Sequence, residues 1–119
     1  DQKSMIKGVR EGVIDVIVSS HNPQDEECKK LEFDLADFGM STIQTFFPML
    51  LQSFGEKDFH DIVDKFTINP RKILGLPVPE IKVGSFANLT MFDPLSEWEF
   101  NEKTNFSRSK NSSSVWPLS

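Results

Sequence analysis

The sequence predicts an α/β fold: one strand buried on both faces, then helices, then a small β unit. Three observations predict it. Val13 to Val18 is a near-continuous run of β-branched residues that ends in the polar cluster Ser19, Ser20, His21 and Asn22, the pattern of a parallel strand covered on both sides. Between Met40 and Phe54, apolar side chains recur at helical spacing. From Glu80 the spacing changes to short runs bounded by Pro79, Gly84 and Pro94, which read as strands.

The elements follow in order. Asp1 to Glu11 reads as a short amphipathic helix closed by Gly12. It leads into the strand at 13–20, which Pro23 stops because proline cannot donate to a ladder. Polar residues at the carboxyl end of a parallel strand are where such folds meet ligands. Asp25 to Lys30 is a polar loop whose acids have no metal-ligand spacing, and Phe38-Gly39 marks a turn. Ile43, Phe46, Phe47, Leu50, Leu51 and Phe54 form one face of a helix ended by Gly55, with Pro48 kinking it or lying in its first turn. A second helix fits Lys57 to Phe66, with Phe59, Ile62, Val63 and Phe66 on one face and His60 on the solvent side. A third starts at Asn69 as cap with Pro70 in its first position and ends at Gly75. Ile81–Gly84, Leu89–Asp93 and Ser96–Phe100 are expected as half-exposed antiparallel strands. The tail from Asn105 is Ser-rich and weakly structured by composition.

Composition bounds the function. The 119 residues suit one domain, and the net charge of -5 argues against a nucleic-acid footprint. No apolar run is long enough to span a membrane. The first residues do not read as a signal peptide, and the single cysteine, Cys28, suits a reducing cytoplasm. The Asn-x-Ser/Thr triplets at Asn88, Asn105 and Asn111 are therefore taken as chance matches. Cys28 has no histidine or cationic helix end at the spacing a nucleophile needs. No phosphate loop, zinc spacing or nucleophile triad is present. A parallel strand also needs parallel neighbours, and too few follow, so the chain reads as a piece of something larger.

Five ordered blocks resemble the C-terminal part of dihydroorotase, in the amidohydrolase superfamily. They are Gly12 to Gln24; Phe38 to Thr45 with Pro48; Thr67 to Leu76; Ile81 to Leu89 with Phe92-Asp-Pro94; and Ser107 to Asn111. Allantoinases and dihydropyrimidinases share the architecture; the Phe38-Gly39 loop and the Ser-Arg-Ser-Lys-Asn ending are closer to dihydroorotases. The resemblance implies the C-terminal fragment of a TIM-like (β/α)₈ barrel of about 250 residues. Residues 1–76 would be the end of the barrel, with its last β-strand at 13–20 and closing helices to 75. Residues 77–119 would be strands of a small β-sandwich and the C-terminal tail.

The family opens or closes a cyclic amide with zinc-activated water, and an aspartate at the tip of the last strand accepts the proton and holds the metal. Ser20 stands at that position. A hydroxyl cannot replace the carboxylate; Asp15 lies about 16 Å back along the strand, and Asp25 lies beyond Pro23. The resemblance implies substrate contacts at His21, Asn22, Phe38 and Gly39; His21 reads equally as a remnant that hydrogen-bonds locally. Gln24 stands where many members have a second histidine. Thr42 replaces a second glycine and would crowd a ligand. No catalytic residue is intact, no metal ligand is expected in this chain, and zinc, the family's metal, is expected not to bind. The implied role is a catalytically impaired dihydroorotase-like protein of pyrimidine biosynthesis acting as a scaffold, with aspartate carbamoyltransferase as partner and with self-association. The alternatives are an active zinc dihydroorotase in full-length form and a related cyclic amidase. The 119-residue chain alone is expected to be inactive.

Overall fold

A computed structural model describes residues 1–112. Its helices are α1 (Gln2–Arg10), α2 (Ile43–Phe54), α3 (Phe59–Phe66) and α4 (Ile68–Ile73), with a 3₁₀ turn, Glu56–Asp58, leading into α3. The chain divides into two compact units. Among the described residues, one gathers 1–18 and 54–96 and the other gathers 19–53 and 97–112. This partition is discontinuous and cuts across the sequence division at residue 76.

In the first unit, Asp1 caps α1 by accepting the Lys3 N–H at 2.9 Å, and Val9 is buried. Glu11 closes the helix and Gly12 follows at φ 72°, a left-handed position that glycine takes without a Cβ penalty. Arg10 fixes the helix end, its Nε donating to Asp58 Oδ2 at 2.7 Å. Both groups are partly solvated, so the pair contributes less than about 1 kcal/mol. α3 follows its apolar period, with Ile62 fully buried and His60 exposed, as the spacing predicts.

The third helix begins earlier than expected. Thr67 takes the cap position of α4 without a side-chain cap bond, and Pro70 is its third residue. Asn69 is not the cap; its Nδ2 donates to the Asp15 carbonyl at 3.0 Å. Proline fits anywhere in the first turn, where no intrahelical donor is required.

The strand expected at 13–20 does not form as a strand. Residues 13–18 have no regular secondary structure, with Val13 74% and Val18 69% exposed. They are tied to helices instead: Val13 and Ile14 N–H groups donate to the Gly8 carbonyl, and Ile17 N–H donates to the Lys65 carbonyl at 3.0 Å. A ladder needs neighbours, and the described residues supply none. The expected strands at 81–84, 89–93 and 96–100 are likewise irregular, and every residue from Pro79 to Glu97 is exposed. Apolar alternation makes a strand only where a second strand accepts it. Among the described residues β pairing is confined to two isolated bridges, His21 with Met40 and Ser41 with Ser112.

In the second unit, α2 forms where the spacing predicts a helix, but its buried residue is Thr45, on the side opposite the predicted apolar face, and Ile43 of that face is 64% exposed. Pro48 lies inside it, not in its first turn, and removes the donor that would reach the Gln44 carbonyl. The Gln44 side chain bridges to the C-terminal stretch, donating to the Thr104 carbonyl at 2.7 Å and accepting the Phe106 N–H at 3.0 Å. Phe100 is buried with Trp98 edge-on at 5.8 Å. Residues 105–112 are more ordered than composition suggested: Ser109 is buried, and its Oγ donates to the Gln24 carbonyl at 2.6 Å. The remainder of the predicted tail, 113–119, lies outside the described residues.

Candidate functional site

The polar tip and the loop that returns to it lie within the second unit. Ser20 is exposed and has φ 49°, the sole positive φ of a non-glycine among the described residues. The left-handed region costs an L-residue about 1–2 kcal/mol unless a short polar side chain relieves it. Such outliers concentrate where backbone is bent for a purpose. The chain therefore bends sharply at Ser20.

His21 follows that bend, and its Nδ1 accepts the Thr42 N–H at 3.0 Å and the Ile43 N–H at 3.1 Å. The imidazole therefore caps α2, satisfying donors at the start of the helix. Accepting at Nδ1 assigns the ring proton to Nε2. Thr42 Oγ1 donates to the Ser19 carbonyl at 2.7 Å, so the residue expected to crowd a ligand ties the tip to the helix instead.

Asn22 pins the loop. Its Nδ2 donates to the Phe38 carbonyl at 3.0 Å, its Oδ1 accepts Gln24 Nε2 at 3.2 Å, and its N–H donates to the Met40 carbonyl at 3.0 Å. Gln24 Nε2 also reaches the Phe38 carbonyl, at 3.3 Å. Gly39 has φ 127°, and a Cβ there would run into the Asn22 carbonyl and lie 2.6 Å from its Nδ2. Only glycine fits so close an approach. The Gly39 carbonyl accepts Asn111 Nδ2 at 2.6 Å, and the Ser41 N–H donates to the Asn111 carbonyl at 2.8 Å.

Ser20, Phe38 and Gly39 come together on an open depression of about 640 Å³ that also takes in Lys29, Thr42 and Asn111. His21 and Asn22 do not line it; they hold its walls. Asn111 and Ser109 escaped sequence reasoning as structural anchors. The signal for them was the Ser-Arg-Ser-Lys-Asn block itself, in which the uncharged Ser107, Ser109 and Asn111 alternate with Arg108 and Lys110.

Two groups in the loop that follows the tip are shifted from their ordinary values. Cys28 is pushed up to about 11 by hydrogen bonding of its thiol to Asp25 and then to Asp37, so it is held protonated and unreactive. Asp25 is drawn below the usual carboxylate range by the Cys28 N–H it accepts. Zinc needs three or four imidazole, thiolate or carboxylate ligands around one point. Among the described residues no group of three or more His, Cys, Asp or Glu side chains is placed to hold a metal ion, and at the tip Nδ1 of His21 is already committed. These residues do not fit a zinc ion. No helix among them is long and apolar enough to cross a membrane.

No family model matches the chain. Its sequence is similar to the dihydroorotase of Carboxydothermus hydrogenoformans, 40% identical over 115 residues, covering 93% of this chain and 27% of that protein. The dihydroorotase of Caldicellulosiruptor saccharolyticus is also 40% identical over 115 residues, covering 94% and 27%. That of Bacillus subtilis is 33% identical, covering 99% and 30%. The chain thus spans between a quarter and a third of the length of the curated relatives it matches.

Proposed function

We propose that this chain, which is dihydroorotase-like in sequence along nearly its whole length, is the C-terminal portion of a dihydroorotase-like protein of pyrimidine biosynthesis whose hydrolytic site is impaired. In this reading residues 13–20 close a TIM-like amidohydrolase barrel completed by the rest of a longer polypeptide. The protein serves as a non-catalytic subunit, in the cytoplasm, with aspartate carbamoyltransferase as its partner and with self-association.

The observation that carries the reading is Ser20. It sits at the bend where the family has its proton-accepting, metal-holding aspartate, and it brings neither a carboxylate nor a metal ligand to that position. A hydroxyl can hydrogen-bond there, but it cannot take the proton of an attacking water at neutral pH. His21 supports the same reading, because its Nδ1 is spent on the backbone of α2. The test is zinc content and dihydroorotate hydrolysis of the full-length protein, native and Ser20→Asp. Bound zinc with turnover in the native form contradicts the proposal.

A further inference from the structure

Between the tip and α2 the chain makes a closed surface loop, and its pattern of charge and exposure fits a protein interface. The loop is pinned at its base by Asn22 and Gln24 on the Phe38 carbonyl. Two successive turns build it: Lys29 and Lys30 N–H groups donate to the Glu26 carbonyl, and Leu35 and Ala36 N–H groups donate to that of Glu32. Asp37 N–H closes the loop onto the Cys28 carbonyl at 3.1 Å. Compact loops with fixed ends and their own internal hydrogen bonds are common carriers of binding function.

This scaffold turns apolar side chains outward. Phe33 is 98% exposed, Phe38 92%, Leu35 62% and Leu31 50%. Carboxylates alternate with them: Glu32, Asp34 and Asp37. Across residues 25–38 six acids face two lysines, while the whole chain carries -5, so most of its net charge sits here. Lys30 is paired with Glu26 at 2.5 Å. Aromatic anchors ringed by charge are the anatomy of a protein-binding patch. The sign of the ring excludes nucleic acid and anionic lipid as occupants and selects a cationic one.

We infer that the loop 25–38 is a docking element for a partner protein that offers an apolar groove rimmed with Lys or Arg, Phe33 and Phe38 being its anchors. This deepens the partner-subunit reading and rests on it, but its readout is binding, which fails or succeeds independently of zinc and turnover.

The test measures binding to the full-length protein of two helical peptides that share one Leu-rich face and differ in flanking charge, Lys in one and Glu in the other. The Lys-flanked peptide is expected to bind about tenfold or more tighter, and to weaken as salt is raised. Phe33→Ser should abolish that binding without moving the melting temperature, since the side chain is exposed. The Glu32→Lys/Asp34→Lys double variant should reverse the preference toward the Glu-flanked peptide. Equal binding of the two peptides overturns the inference, as does undiminished binding by Phe33→Ser. A lowered melting temperature of Phe33→Ser overturns it in favour of burial by the same polypeptide. Dissociation of a self-associated form by Phe33→Ser, with no effect on peptide binding, overturns it in favour of a second copy.

Discussion

His21 Nδ1 accepts the Thr42 N–H at 3.0 Å, joining the polar tip to the first turn of α2. With Ile43 N–H on the same nitrogen, one imidazole does the work that Ser, Thr or Asp usually performs at a helix start. His21→Ala should cost about 1 kcal/mol, in the range of lost N-caps, and speed amide hydrogen exchange at Thr42 and Ile43 several-fold. ¹⁵N NMR of the ring should find the proton on Nε2. Unchanged exchange at those two amides would refute the capping role.

Ser20 at φ 49° makes a separate prediction about backbone. Ser20→Gly should be neutral or stabilising by up to about 1 kcal/mol, because glycine occupies the left-handed region freely. Ser20→Val should destabilise by about 1–2 kcal/mol, since β-branched residues resist that conformation. Ser20→Asp should fold like the native protein, as short polar side chains tolerate the left-handed region. Thermal melts of the three variants check the order.

Cys28 links structure to pH. Its thiol is held up to about 11 by hydrogen bonding to Asp25 and Asp37, so labelling by iodoacetamide at pH 8 should run roughly two orders of magnitude slower than for an ordinary thiol. Because the folded value lies above the ordinary one, the stabilisation from this contact is complete below the ordinary thiol range and is lost as pH rises toward about 11. Asp25→Asn, which removes the first-named partner's charge, should raise the labelling rate. A native rate matching that of a free thiol would show that the contact is absent in solution.

Gly39 tests the closeness of the loop to the tip. With φ 127° and Asn22 where a Cβ would go, Gly39→Ala should break the Asn22–Phe38 latch and destabilise by more than the ~1 kcal/mol of a simple glycine effect. The expected signature is faster exchange at the Asn22 amide, which donates to Met40, together with a lower melting temperature.

Helix-forming regions were legible in the sequence, because helices satisfy their own hydrogen bonds and their periodicity is written locally. The presence of α2, the face of α3, the exposed His60 and the end of α1 at Gly12 all followed from spacing and composition. Val13 to Val18 had the composition of a buried strand, but a strand is a relation to neighbours, and the segment instead leans on Lys65 and Gly8. The same holds for Ile81 to Asp93, which meets no second strand among the described residues, although Phe92 packs on Phe59 with ring centroids 5.4 Å apart. At the site, the polar cluster after the apolar run and the turn at Phe38-Gly39 were legible, but the left-handed bend at Ser20 and the close approach of Gly39 to Asn22 were not. The capping by His21 and the anchoring by Ser109 and Asn111 were not, since each joins positions 21 to 85 residues apart.

We propose that Ser20, where the resemblance places a carboxylate, leaves the full-length protein without hydrolytic activity. The most direct measurement is zinc content together with dihydroorotate hydrolysis for the full-length protein, native and Ser20→Asp. The expected result is a native protein with no bound zinc and no turnover, with any activity that appears only in Ser20→Asp due to the restored carboxylate. Stoichiometric zinc with turnover in the native protein would contradict it, and would mean that another group supplies what Ser20 lacks.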